Sequence, residues 1–159
     1  MEFTLKKGEA ARISEYIEVF QNSKLYDAYF AGGDMLEQLL EESISADALY
    51  IAVDKADQPI GVMYMTMSGM CGLPYLHLLG VRADCRGQGV GRSLVQIFIN
   101  VAEELGYPNM FIMTSKFNRQ AKQLYESMGF QPQCLLRDLM KKGVSEWLMM
   151  RPNSGNSGR

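Results

Sequence analysis

Histidine, tryptophan and cysteine are scarce in this chain of 159 residues, with one His, one Trp and three Cys. Cys71, Cys85 and Cys134 are too few and too irregularly spaced for a disulfide framework or a zinc cluster, so no metal is expected. Free thiols without an export signal make a reduced, cytoplasmic setting the expectation. No apolar run reaches the length of a membrane span, and the polar start Met1-Glu2-Phe3-Thr4 does not read as a signal peptide. Charge of one sign is also missing: 16 Lys and Arg against 18 Asp and Glu leave a formal net charge of −2. No broad basic field therefore recruits nucleic acid or an anionic membrane. What remains is an ordinary globular composition, 47% hydrophobic and 21% charged, in a length that suits one domain with a sizeable core.

The most informative stretch runs from Tyr75 to Leu105. Tyr75 to Val81 reads as a buried strand, followed by a short connection and Arg86-Gly87-Gln88-Gly89-Val90-Gly91. Beyond Gly89, the residues Val90, Leu94, Ile97, Phe98, Val101, Ala102 and Leu105 recur at spacings of three and four, one face of a helix. Gly106 and Pro108 then end it. A glycine turn feeding a helix N-terminus leaves backbone N–H groups unpaired where the helix dipole favours negative charge. Arg86 and Arg92 bracket that turn, and the combination is an anion site suited to phosphate or pyrophosphate. Gly-x-Gly by itself is also an ordinary tight turn. A dinucleotide-binding loop is the sharper competitor, but its third glycine falls at position 92, which is Arg92, and the opening strand that such a fold expects near the N-terminus is missing.

Other segments follow the same rules. Phe3 to Lys6 reads as a short strand and Gly8 to Phe20 as a helix. Residues 21–33 are less regular and rich in aromatics. Asp34 is the expected N-cap of a helix carrying Met35, Leu36, Leu39 and Leu40. Ala48 to Val53 and Ile60 to Met67 read as a hairpin around Asp54-Lys55-Ala56-Asp57. Asn109 to Ser115 reads as a strand, and Asn118 to Met128 as a helix with Gly129 as its C-terminal cap. Phe130 to Leu139 and Val144 to Met150 read as a final hairpin. The tail from Pro152 to Arg159, dominated by Asn, Ser and Gly, is expected to be disordered.

Arg86-x-x-Gly89-x-Gly91 after a strand ending Leu79-x-Val81 closely resembles the acyl-CoA signature of the GNAT (GCN5-related) N-acetyltransferase family. A second block, Asn118-x-x-Ala121-x-x-Leu124-Tyr125-x-x-x-Gly129-Phe130, resembles that family's next strand–helix unit. The resemblance implies a mixed α/β GNAT fold over residues 1–151, with residues 152–159 as the tail. Its largely antiparallel sheet would have six to seven strands and about four flanking helices, with strands 75–81 and 109–115 parallel and splayed. It implies a direct transfer of an acetyl group from acetyl-CoA to a primary amine of a small molecule or peptide. A non-catalytic acyl-CoA sensor or interaction module on the same fold is the alternative. A homodimer is a state that relatives adopt.

Residue by residue, the resemblance gives the CoA pyrophosphate to the backbone of Gly87, Gln88, Gly89, Val90 and Gly91, aided by Arg86, Arg92 and Ser93. It gives the pantetheine arm to Leu79, Gly80, Val81 and Asn118, with the Val81 N–H aimed at the thioester oxygen, where it would stabilise an oxyanion. It makes Tyr125 the proton donor to the leaving thiolate. Core packing is the competing role for Tyr125, and a plain N-cap for Asn118. His77, the only histidine, stands where many relatives carry a glutamate base. An imidazole can take an amine proton near neutral pH, with a water relay as the alternative, but a lone His in an apolar strand is also an ordinary structural residue. Cys85 beside Arg82 and Arg86 could have a lowered pKa, yet the family's binding mode puts this loop far from the thioester.

Charge is unevenly spread. From Leu25 to Asp54 there are seven acids (Asp27, Asp34, Glu37, Glu41, Glu42, Asp47 and Asp54) and no Lys or Arg. A solvated helix face explains such a run. A wall that attracts a cationic amine is the functional reading, because the resemblance gives the acceptor site to the first two helices. Tyr26, Tyr29, Phe30 and Trp147 suit either that pocket or the core.

Overall fold

The computed structural model describes residues 1–156. Seven strands form one mixed sheet, with five α-helices: β1 Thr4–Lys7, α1 Ile13–Phe20, α2 Lys24–Tyr29, α3 Met35–Ser45, β2 Leu49–Val53, β3 Pro59–Met70, β4 Leu73–Val81, α4 Val90–Glu104, β5 Asn109–Ser115, α5 Arg119–Ser127, β6 Gln131–Lys141 and β7 Val144–Pro152. Strand order is β1-β2-β3-β4-β5-β7-β6. The pairs β1–β2, β2–β3, β5–β7 and β6–β7 are antiparallel. The β4–β5 pair is parallel, with Tyr75 opposite Phe111 and Leu76 opposite Ile112. The contacts divide the chain into two compact units, residues 1–65 with 78–95, and residues 66–77 with 96–159.

In the first unit, α1, α2 and α3 bury their apolar faces on β2 and β3. Tyr16, Phe20, Leu40, Leu49, Ile51 and Val62 form the centre of this core. Residues 21–33 are more regular than their composition suggests. Ser23 accepts a hydrogen bond from the Tyr26 N–H at 3.1 Å and starts α2. Phe30, just after it, packs on Phe20 edge-to-face with centroids 6.4 Å apart. Phe30 is therefore core, and Tyr26 and Tyr29 lie half-buried against it. Asp34 does occupy the N-cap of α3, but its side chain makes no capping bond. The helix expected from Gly8 opens as a 3₁₀ turn, Ala10–Arg12, before α1.

In the second unit, β5, β7 and β6 form an antiparallel ribbon, with the β6–β7 register shifting between Pro132 and Cys134 and between Leu136 and Lys141. The turn from β3 to β4 is two residues long, Cys71 and Gly72, with φ of 52° and 75°, the conformation that twists a hairpin correctly. That turn carries β3 to Met70 and starts β4 at Leu73, so the gap between the expected strands, Ile60 to Met67 and Tyr75 to Val81, shrinks to those two residues. Asn118 caps α5 by accepting the Ala121 N–H at 3.2 Å. Gly129, at φ 91°, ends it, and the Phe130 N–H reaches back to the Tyr125 carbonyl at 3.0 Å. Arg151 ties α4 to β7 through Glu103 at 2.6 Å and binds the Met128 carbonyl at 3.0 Å. The tail begins later than its composition suggests. Pro152 belongs to β7, and Asn153 is held by the Tyr107 and Pro108 carbonyls, both at 2.9 Å. Residues 157–159 of the expected disordered tail lie outside the described residues.

Candidate active site

The first unit carries the end of β4 and the glycine loop. Along β4, burial alternates strictly, with Tyr75, His77, Leu79 and Val81 half-buried and Leu76, Leu78 and Gly80 buried. Gly80 lies flat against Phe20, where a Cβ would come within 2.4 Å of the ring. After β4 the chain makes a 3₁₀ turn, Ala83–Cys85, and then the loop. Gly87 and Gly89 adopt φ of 74° and 88°, and nothing stands within 4 Å of where their side chains would project. Val90 is buried and anchors the loop, whereas Arg86, Gly87, Gln88 and Gly89 are exposed. The first bond of α4 runs from the Ser93 N–H to the Gly89 carbonyl at 3.0 Å. The preceding N–H groups of the helix start have no partner within the helix. Open space, left-handed glycines and these donors fit a phosphate-bearing group.

Arg86 is committed differently from the expectation. Its guanidinium donates to the carbonyls of Val81 at 2.9 Å and Asn22 at 2.8 Å, and more weakly to Gln21 at 3.4 Å. It clamps the loop to the end of β4 and to the α1–α2 connection. Arg92 and Ser93 are exposed in the first turn of α4. Cys85 is 2% exposed and donates its S–H to Asp84 at 3.4 Å. Burial pushes its thiol above the ordinary range, aided by Asp84, so Arg82 does not make it a reactive thiolate.

The second unit carries Asn118, Tyr125, His77 and a residue that sequence reasoning passed over. Tyr125 lies in α5, 6% exposed, with its ring edge-on to Phe130 at 6.2 Å. Burial raises its phenol well above the usual tyrosine range, so it stays protonated. The Nε2 of His77 shares a hydrogen bond of 2.7 Å with the Thr66 hydroxyl, and its ring rests on Tyr75 at 4.5 Å. Burial lowers its pKa to about 4, so near neutrality the imidazole is uncharged and weakly basic.

The residue passed over is Glu146. It is 4% exposed near the start of β7, paired across the sheet with Ser115 of β5 and Leu136 of β6. The Ser115 hydroxyl donates to its Oε1 at 3.2 Å. Burial raises its pKa to about 7. Its signal in the sequence was faint: one acid on the apolar side of an alternating strand, between Val144 and Leu148. Among the described residues, no group of three or more His, Cys, Asp or Glu is placed to hold a metal. Nor is any of their helices long and apolar enough to cross a membrane.

Residues 10–151 match the family model described as "Acetyltransferase (GNAT) domain". The chain belongs to the GNAT acetyltransferase family. It is 30% identical over 96 residues to the peptidyl-lysine N-acetyltransferase YjaB of Salmonella typhimurium, covering 60% of this chain and 59% of that protein. The chain thus aligns with less than two thirds of that relative's length. Solved GNAT structures share the fold at low identity. A phosphinothricin acetyltransferase from Sinorhizobium meliloti, in complex with acetyl-CoA, superposes with a TM-score of 0.74 at 18% identity, covering 100% of this chain and 92% of that one. A spermidine N-acetyltransferase chimera from Vibrio cholerae and hSSAT superposes with a TM-score of 0.76 at 18% identity, covering 100% of both chains.

Proposed function

We propose that this GNAT protein is an N-acetyltransferase that moves the acetyl group of acetyl-CoA directly to a primary amine. The observation that carries the reading is the loop at the start of α4, with Gly87 and Gly89 left-handed, unobstructed and exposed. The backbone from Gly87 to Gly91 takes the pyrophosphate, with Arg92 and Ser93 at its rim and Arg86 holding the loop in place. Leu79, Gly80 and Val81 offer their strand backbone to the pantetheine arm, and Asn118 contacts the same arm. Acetyl-CoA supplies an activated thioester. The Val81 N–H donates to the carbonyl oxygen that gains negative charge as the amine attacks. Tyr125 gives its proton to the departing sulfur. The burial that keeps this phenol protonated also raises the basicity of a thiolate formed beside it. His77, bound to Thr66 and weakly basic, serves as a neutral hydrogen-bonding group rather than as the proton acceptor.

The acceptor we assign is a cationic amine. Asp27, Asp34, Glu37, Glu41 and Glu42 are exposed on and beside α2 and α3. Asp47 is instead paired with Lys7 at 3.2 Å, and Asp54 binds the N–H groups of Ala56 and Gln58 within its own turn. Five exposed acids without an interspersed cation attract an ammonium and are weakened by salt.

Isothermal titration with acetyl-CoA, CoA and NAD tests the loop. Binding of the first two without NAD is the expected result, and a folded sample that binds neither CoA species refutes it. Thiol release is then followed with a lysine-containing peptide and with spermidine as acceptors at rising salt. Protein that binds acetyl-CoA but acetylates neither acts as a sensor, and a kcat/KM insensitive to salt removes the acidic wall from the argument.

A further inference from the structure

We propose that Glu146, oriented by the Ser115 hydroxyl, is the group that takes the proton from the acceptor amine. The inference rests on the acetyltransferase reading and adds the proton acceptor that His77 does not supply. An ammonium near pKa 10 must lose a proton before its nitrogen can attack, so some group on the acceptor side has to receive it.

The second unit places Glu146 and the helix bearing Tyr125 on opposite faces of one ribbon. Side chains alternate along a strand, so Glu146 and Trp147 point to opposite faces. The Lys122 ammonium of α5 lies 5.5 Å from the Trp147 ring centroid, and Arg151, two strand steps from Trp147 on its side, binds the carbonyl of Met128 just past α5. The helix bearing Tyr125 therefore covers the Trp147 face, and Glu146 belongs to the other. Register puts Phe111, Met113 and Ser115 of β5 on the Glu146 face, together with Tyr75 and, two residues on, His77 of β4.

Ser115 links the carboxylate to the segment assigned to the pantetheine arm. Its carbonyl accepts the Asn118 N–H at 2.8 Å, and its hydroxyl donates to Glu146. β5 and β7 remain bonded just beyond it, with the Lys116 N–H on the Ser145 carbonyl at 2.8 Å. Glu146 is thus held at the end of β5 from which α5 departs.

The charged surroundings favour this assignment. The residues opposite Glu146 are Ser115 and Leu136, neither of them charged. Tyr75 and His77 are the titratable groups on its face along β4, and Lys122, Arg151 and Glu103 lie on the helix side. With β5 intervening, at least two strand spacings, about 10 Å, separate the His77 and Glu146 backbones across the sheet. A carboxyl raised to about 7 by burial is matched to accepting a proton near neutrality, where an imidazole lowered to about 4 is not.

Protons and bonds balance. Glu146 takes one proton from the ammonium and releases it to solvent. Tyr125 gives its proton to sulfur as the C–N bond forms and the C–S bond breaks, and recovers one from the nitrogen through water. One proton leaves per acetyl group transferred.

The test compares wild type, Glu146→Gln, Glu146→Asp and Ser115→Ala, using acetyl-CoA titration and the pH profile of kcat/KM with the lysine-containing peptide and spermidine. Glu146→Gln should keep the acetyl-CoA affinity, lose about 100-fold in kcat/KM at pH 7 and lose the inflection near 7, with Glu146→Asp retaining part of the rate. Ser115→Ala removes a donor to the charged form, so its acidic limb should move to higher pH. That shift carries the test should Glu146→Gln fail to fold. A Glu146→Gln enzyme with the wild-type rate and profile, or a Ser115→Ala profile that does not move, overturns the assignment of Glu146 alone. Wild-type protein that acetylates neither amine overturns it together with the acetyltransferase reading.

Discussion

Replacing Gly80 by alanine isolates the contact on which the end of β4 rests. The new Cβ would stand 2.4 Å from Phe20 Cε1 and 2.7 Å from both Cδ1 and Cζ. Distances under 3 Å between such carbons force a displacement, and the ring has nowhere simple to go. Phe20 is 1% exposed and packed against Phe30. Either α1 moves away or β4 bends. Overpacking of this kind costs roughly 1–3 kcal/mol. For a chain of this size that lowers Tm by about 2–12 °C. The flanking residues Leu79 and Val81 are those assigned to the pantetheine arm, so a bent β4 should also weaken acetyl-CoA binding. Differential scanning calorimetry and acetyl-CoA titration read the two effects separately. A cycle with Phe20→Leu tests the cause: the smaller side chain leaves room for the Cβ, and the double variant should be more stable than the two single losses added. A Gly80→Ala protein with unchanged Tm and affinity, or strictly additive losses in the cycle, would refute the argument that Phe20 demands glycine at this position.

Two further outcomes follow from a buried phenol and a half-buried carboxylate. Tyr125→Phe removes one hydroxyl and leaves the packing on Phe130, so thiol release should fall by about 100-fold with little change in Tm; unchanged turnover would assign Tyr125 to the core alone. Glu103 is held below the usual carboxylate range chiefly by its hydrogen bond from Arg151, against the opposing effect of burial. A carboxyl depressed in the folded state stabilises above its unfolded pKa, and that contribution is lost as pH falls through the folded value. The stability gap between wild type and Glu103→Gln, read from urea midpoints, should therefore be full at pH 7 and shrink below about pH 4. A gap that stays constant down to pH 2 would show that the charge on Glu103 contributes nothing.

Local patterns reached most of this fold because they report local forces. Alternation along Tyr75 to Val81, the three-four spacing after Gly89 and the capping residues Asn118 and Gly129 each fix a backbone conformation within a few residues. Where the outcome depended on a tertiary neighbour, the sequence was silent. Residues 21–33 read as irregular because their aromatic run carries no clean period, yet Ser23 and the burial of Phe30 against Phe20 suffice to hold α2. Arg86 reads as a phosphate ligand from its place beside the glycines, but the carbonyls that its guanidinium binds belong to Val81, Gln21 and Asn22, and two of these lie in a connection no motif marks. Glu146 shows the same limit at the chemical level. An acid in an edge-proximal strand looks solvated by composition; only the register that sets it between Ser115 and Leu136 removes the water. The pKa shift follows from that removal, and so does the difference between a surface charge and a base poised near neutrality. A glycine turn before a helix is thus legible from spacing, whereas a buried carboxylate has to be read from what the sheet packs around it.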